Sequence, residues 1–274
     1  MKSKKILNVI ALGLISAVGV GLITPTTPAF AANQPSEIAI ANKTNDSEVG
    51  NRRTNVKFIK DNSDNSGDLE YTYDQNGKSY KVVEKFTEDF SSGTSNIYEK
   101  NSGNNYDLIS VINTTSNEKN ISLKTLDVKT NNTKTEVVDI SNDTTDKNSK
   151  LRNNLQSSSS DLTDWQAGGI FYYNFKVVNW TVGAISALIF KNLSKLGGPL
   201  AGSTGTLLAY ISGIIIAENI PKVYEKVREY YKFINGTSLP RAESSYTIVY
   251  TDSSCTKQIG DGIPFEYYVD GYGN

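Results

Sequence analysis

Histidine is absent from all 274 residues, and cysteine and methionine occur once each. Without His there is no Ser-His-Asp or Cys-His nucleophile pair, no imidazole base and no imidazole metal ligand. The lone Cys255 excludes an intramolecular disulfide and a thiolate metal cluster. With 28 Lys+Arg against 29 Asp+Glu, the net charge is −1, and bulk charge makes no case for a nucleic-acid partner. There is no phosphate-cradling Gly loop and no G-x-S-x-G turn. The run DNSDNSGDLE (61–70) is rich in carboxylates, but Gly67 stands one place late for an EF-hand and the distal Glu is missing, so it reads as a solvated turn. The expectations are no catalytic residues, no cofactor and no metal: a protein that is not an enzyme.

What is present starts with an export leader. Lys2, Lys4 and Lys5 precede an uncharged apolar run, Ile6–Ile23; two prolines then break the segment, and Ala29-Phe-Ala31 fits a small-x-small cleavage site. Cleavage after Ala31 leaves 243 residues and takes the basic count from 28 to 25, against 29 acidic. With no sorting signal of the LPxTG type in view, the chain is expected to be secreted, and the leader has a Gram-positive character.

Beyond the leader the chain divides by composition. Residues 32–142 are polar and carry segments that alternate with period two, the pattern of half-buried strands. Asn76-Gly77 marks one hairpin, 101–105 a second and Asn131-Asn132 a third, which implies an antiparallel meander. Residues 143–164 form a Ser/Asn-rich linker by composition. Residues 165–236 are expected to hold an apolar helical hairpin followed by an amphipathic helix over 221–234, where Val223, Val227, Tyr230 and Ile234 recur at helical spacing. Residues 237–274 read as a short C-terminal β hairpin turning at Asp261-Gly262. The fold class expected is α+β: an antiparallel β meander, a hydrophobic helical hairpin and that closing β hairpin.

The apolar block carries the functional clue. Val177–Phe190 supplies 14 uncharged residues and Leu196–Ala217 another 22, separated by Lys191 and Lys195. A helix over 199–217 would be roughly 28 Å long, near the hydrocarbon thickness of a bilayer. Gly197, Ala201, Gly205, Ala209, Gly213 and Ala217 recur at intervals of four, with Gly183 and Ala187 as a shorter matching pair. Small residues at that spacing let helices approach closely, most usefully in lipid. Lys191 and Lys195 stand as hairpin-tip charges, and Trp180, Tyr172 and Tyr173 as aromatics for a membrane interface.

Two segments carry a resemblance, the leader MKSKKILNVIALGLISAVGVGLITPTTPAFA and the stretch from AGGIFYYNF to LAYISGIIIA, and GGPLAGSTG also looks like the small-residue helices of shorter bacteriocins. On these the chain resembles geobacillin-like large secreted bacteriocins, and the resemblance implies antagonism of related bacteria. The expected function is that of a secreted antibacterial, bacteriocin-like or toxin-like membrane-active protein, in which a shielded Gly/Ala-rich hairpin perturbs target membranes. The alternatives are a non-enzymatic envelope-binding or adhesion protein with the hairpin as its core, and a producer-side membrane or immunity protein. Expected partners are target-cell membrane lipid, an envelope receptor or an immunity protein, with oligomers on the membrane and no nucleic acid.

Overall fold

Asn76 and Gly77 both take positive φ (53° and 73°), which closes a two-residue turn between β2 (Asp68–Gln75) and β3 (Lys78–Phe86) with Gln75 opposite Lys78. This hairpin belongs to a seven-stranded antiparallel meander in the computed structural model, which describes residues 52–61, 67–117, 119–140, 144–145, 161–196, 198 and 203–272. The leader, 1–31, and all but a few residues of the 143–164 segment lie outside the described residues. All described residues belong to the compact unit Pro35–Asn274.

The meander runs in sequence order: β1 (Thr54–Asp61), β2, β3, β4 (Ser92–Lys100), β5 (Tyr106–Ser116), β6 (Asn120–Asp127) and β7 (Thr133–Asp139). Alternation decides its inner face. Leu69, Tyr71 and Tyr73 of β2 are buried, and Val82, Glu84 and Phe86 of β3 lie inward beside them. Outward positions carry Lys, Glu and Thr, including the Lys81–Glu70 pair at 2.7 Å.

A second antiparallel sheet has five strands in the order β12-β11-β10-β9-β8. These are β8 (Thr144–Thr145), β9 (Gln166–Lys176), β10 (Lys222–Phe233), β11 (Pro240–Tyr250) and β12 (Gln258–Tyr268). Neighbouring strands β9 and β10 are joined by an excursion through two helices, α1 (Val182–Leu193) and α2 (Ser203–Ala217). The excursion leaves and returns at one point: Lys176 is opposite Lys222, and the Val177 N–H donates to the Pro221 carbonyl at 3.0 Å.

The helices pack on each other and between the two sheets. α1 touches β3, β4 and β5 on one side and β10 and β11 on the other; α2 touches β1 and β12. Every residue of α1 except Lys191 is buried. A segment apolar on all sides needs cover on all sides, and two sheets supply it.

The expected α+β division is overturned. Strands make up 57% of the described residues and only two helices accompany them there, so this is essentially an all-β fold of two antiparallel sheets. Three readings fail locally, each for a physical reason. Residues 166–176, which fall inside the 165–236 stretch assigned to helices, form β9, and the first helix begins only at Val182, after the Thr181 cap. The amphipathic helix over 221–234 is the central strand β10. Val223 and Val227 are four apart, a spacing that suits one helix face and one strand face equally; the inward positions between and after them are Glu225 and Glu229. The C-terminal strands pair with each other, but as part of the five-stranded sheet, and the turn lies at 251–257, not at Asp261-Gly262. There the Asp252 carboxylate accepts the N–H groups of Thr256 and Lys257. Gly262 is small for another reason: a Cβ there would sit 2.0 Å from the Tyr246 hydroxyl.

Candidate functional site: a sheathed helical pair and its carboxylate anchors

α1 has no acidic residue in its first turn. The meander supplies one. Glu84 of β3 accepts the N–H of Gly183 at 3.1 Å and the hydroxyl of Ser95, whose oxygen lies 3.1 Å from that of Thr181. Thr181 in turn caps the helix by accepting the Ala184 N–H at 3.3 Å, and the Tyr71 hydroxyl accepts the Val182 N–H at 3.2 Å. A carboxylate at a helix N-terminus meets the positive end of the helix dipole. Burial nevertheless pushes the Glu84 carboxyl upward, against the lowering effect of these donors.

The other end of α1 rests on the five-stranded sheet. Asn192 Nδ2 donates to Glu225 Oε2 at 2.8 Å, and the Ser245 hydroxyl donates to the Leu193 carbonyl. Glu243 takes the N–H groups of Lys195 and Leu196. Lys195 is exposed on one side, while its Nζ donates to the Tyr173 hydroxyl at 3.1 Å and lies 5.2 Å from that ring's centre. Desolvation pushes this ammonium down, opposed by Glu229, Glu243 and Glu225. The carboxyls shift the other way. Burial holds Glu225 up at about 8 and Glu243 at about 7, and it raises Glu229, which accepts the Tyr231 hydroxyl at 2.9 Å. Burial and the negative Glu229 together raise the Tyr173 and Tyr231 phenols. Asn192 Oδ1, Glu225 Oε1 and Glu229 Oε1 are buried with no hydrogen-bond partner. A neutral Glu225 carries the proton that such crowding of acceptors requires.

The small residues make room for sheet side chains more than for a helix. A Cβ on Gly183 would stand 2.2 Å from the Phe86 ring and 2.8 Å from Glu84 Oε2. One on Gly213 would stand 2.7 Å from the Phe58 ring. Ala187, Gly205 and Ala209 are buried and Ala217 half-buried; Gly197 and Ala201 lie outside the described residues. The helix-to-helix polar contact is instead Ser186 to Ser212, hydroxyl to hydroxyl at 3.0 Å, one residue away from the Ala187 and Gly213 positions.

Lys191 is half-buried. Trp180 and Tyr173 are buried, at 1% and 3% exposure, so neither is available to an interface in this state. The Trp180 indole donates to Glu136 at 3.2 Å, and its carbonyl accepts from the buried Arg53 at 2.8 Å. Tyr172 alone of the three faces outward, with Lys226 5.8 Å from its ring centre.

Sequence reasoning missed Glu84, Glu225, Glu229 and Glu243. Their signal lay in the alternation of β3, β10 and β11, where an acid occupies a position the period assigns to the core. Neither helix is long and apolar enough to cross a membrane; α2, at 15 residues, spans about 22 Å. Among the described residues no cluster of His, Cys, Asp and Glu is arranged to hold a metal ion. No protein-family model, no characterised protein and no solved structure matches the chain.

Proposed function

We propose that the chain is an exported antibacterial protein that perturbs target membranes with the α1–α2 pair, which the two sheets sheath until contact with lipid. One observation carries the reading. The most apolar part of the described residues is enclosed on both sides, yet each end of α1 is tied to a sheet through buried ionisable groups: Glu84 at one end, Glu225 and Glu243 at the other. A plain core seals with apolar contacts, because burying carboxyls costs several kcal/mol unless each is well paired. Polar ties are directional and are lost together once the helix shifts, so they suit a part that must leave.

Helices of 12 and 15 residues are too short to span hydrocarbon singly, so the action proposed is insertion into the outer leaflet and its disruption, not a pre-formed helical pore. The test is dye release from vesicles containing phosphatidylglycerol, beside the membrane potential of related Gram-positive cells. Release together with depolarisation supports the reading, and intact vesicles and cells at micromolar protein refute it.

A second reading has its own support. α1 is enclosed as completely as a permanent core. On that reading the chain is a non-enzymatic envelope-binding protein, and it binds cells without releasing dye.

A further inference from the structure

The outer face of the five-stranded sheet, away from the helices, has a composition of its own. Along β10 the outward positions are Lys222, Tyr224, Lys226, Arg228, Tyr230 and Lys232: cations and tyrosines only. The register continues the pattern sideways. Lys226 lies between Tyr172 and Ile248, and Arg228 between Ile170 and Tyr246. Lys176 stands opposite Lys222, two like charges face to face, which costs stability unless an anion lies above them.

None of the five cations has a carboxylate partner among the described residues. Three stack on rings instead. Lys222 lies 5.1 Å from the centre of Tyr224, Lys226 5.8 Å from that of Tyr172, and Lys232 4.9 Å from that of Trp165. The exposed acids among the described residues of this sheet, Asp261 and Glu266, both stand on the edge strand β12. Tyr172 and Tyr246 are 37% and 39% exposed, so both rings reach water, and Lys226 lies over the Tyr172 ring. An acidic chain has therefore gathered unpaired positive charge and amphipathic rings on one face.

We infer that this face docks the protein on an anionic lipid bilayer. The cations meet headgroup phosphates, and the Tyr and Trp rings settle at headgroup depth, where one end is apolar and the other wet. The lipid surface is favoured over a dissolved polyanion because rings and aliphatic side chains flank the cations on both sides, Ile170 and Tyr172 on β9 and Tyr246 and Ile248 on β11. The inference concerns a surface separate from the helical pair, and its test reads binding, not damage.

The test is co-sedimentation of the full mature chain with vesicles of phosphatidylcholine alone and of phosphatidylcholine mixed with phosphatidylglycerol. Binding to the mixed vesicles, weakened by added salt, is expected. The triple substitution Lys222→Gln, Lys226→Gln, Lys232→Gln should weaken it on the order of 100-fold, at about fivefold per cation. The meander control Lys57→Gln, Lys124→Gln, Lys134→Gln changes net charge equally at exposed positions and should leave it within threefold or so. Circular dichroism verifies that both variants fold, and Tyr172→Ala alone, which leaves every cation in place, should weaken binding several-fold. Equal losses in the two triple variants, no preference for the anionic vesicles, or capture by soluble poly(glycerol phosphate) without vesicle binding would each overturn the inference. Vesicle binding without dye release keeps it and removes the membrane-damage reading; dye release that survives the Lys222/Lys226/Lys232 substitution does the reverse.

Discussion

Glu243 of β11 accepts the backbone N–H of Lys195 with both carboxylate oxygens, at 2.8 and 2.9 Å, and that of Leu196 at 2.8 Å. One sheet side chain thus fixes the chain just past the end of α1, accepting the two backbone N–H groups that follow the last helical bond, Ser194 N–H to the Phe190 carbonyl. Glu243→Ala strands both N–H groups and should cost about 2–4 kcal/mol in urea unfolding, whereas Glu243→Gln keeps one acceptor and should cost about half as much.

Stability should fall as pH rises through neutrality. Glu225 and Glu243 titrate at about 8 and about 7 when folded, against 4.5 for an ordinary Glu, and burial raises Glu84 and Glu229 in the same direction. The folded state therefore holds more protons than the unfolded one between pH 4.5 and 8. That contribution is fully present below pH 4.5 and is lost as pH climbs through the folded values. Asp74, held down by hydrogen bonds from Asn55 and Ser79, acts oppositely at the acid end, and Lys195, pushed down by burial, does so at the alkaline end. Thermal melts should peak in mildly acid buffer and drop by roughly 5 °C or more by pH 8.5. Glu225→Gln should flatten that slope; a melting temperature that rises steadily from pH 5 to 8.5 would contradict the buried-acid account.

The two helical glycines should respond differently to alanine. At Gly183 the added methyl meets Phe86 and Glu84, both packed in the interior, so overpacking of about 1–3 kcal/mol outweighs any gain in helix propensity. At Gly213 it meets only the half-buried Phe58 ring, and a propensity gain of about 1 kcal/mol offsets the strain. Chemical denaturation should therefore show Gly183→Ala clearly weaker and Gly213→Ala within about 1 kcal/mol of the parent.

Ser186 and Ser212 should be coupled. Replacing either with Ala leaves one buried hydroxyl without its partner, at a cost of about 1–3 kcal/mol; replacing both removes the pair and should cost less than the sum by about 1 kcal/mol. A double-mutant cycle measures the difference, and strict additivity would place the helix contact elsewhere.

The hairpin turns were legible because their chemistry is local. Asn76-Gly77 needs only its own backbone to declare a turn, and β2 and β3 pair around it. The apolar helices announced themselves by charge exclusion. β10 was not legible, since Val223 and Val227 serve either period and Glu225 and Glu229 look like solvent-facing residues until a second sheet is known to lie above them. The anchors share that property. Glu84 is unremarkable in VVEKF and becomes meaningful only beside Gly183, 99 residues away. The small-residue stripe was visible but its partner was not, because nothing local says that Gly213 faces Phe58 rather than α1.

The central claim is that α1 and α2 must leave the sheets for the protein to act. Ser95 of β4 and the cap residue Thr181 bring their hydroxyls to 3.1 Å, close enough for a cross-link between sheet and helix. In a chain carrying Ser95→Cys, Thr181→Cys and Cys255→Ser, dye release from phosphatidylglycerol-containing vesicles should be absent when the pair is oxidised and restored on reduction. Equal release from the oxidised and reduced forms, with the disulfide verified by mass, would contradict the account.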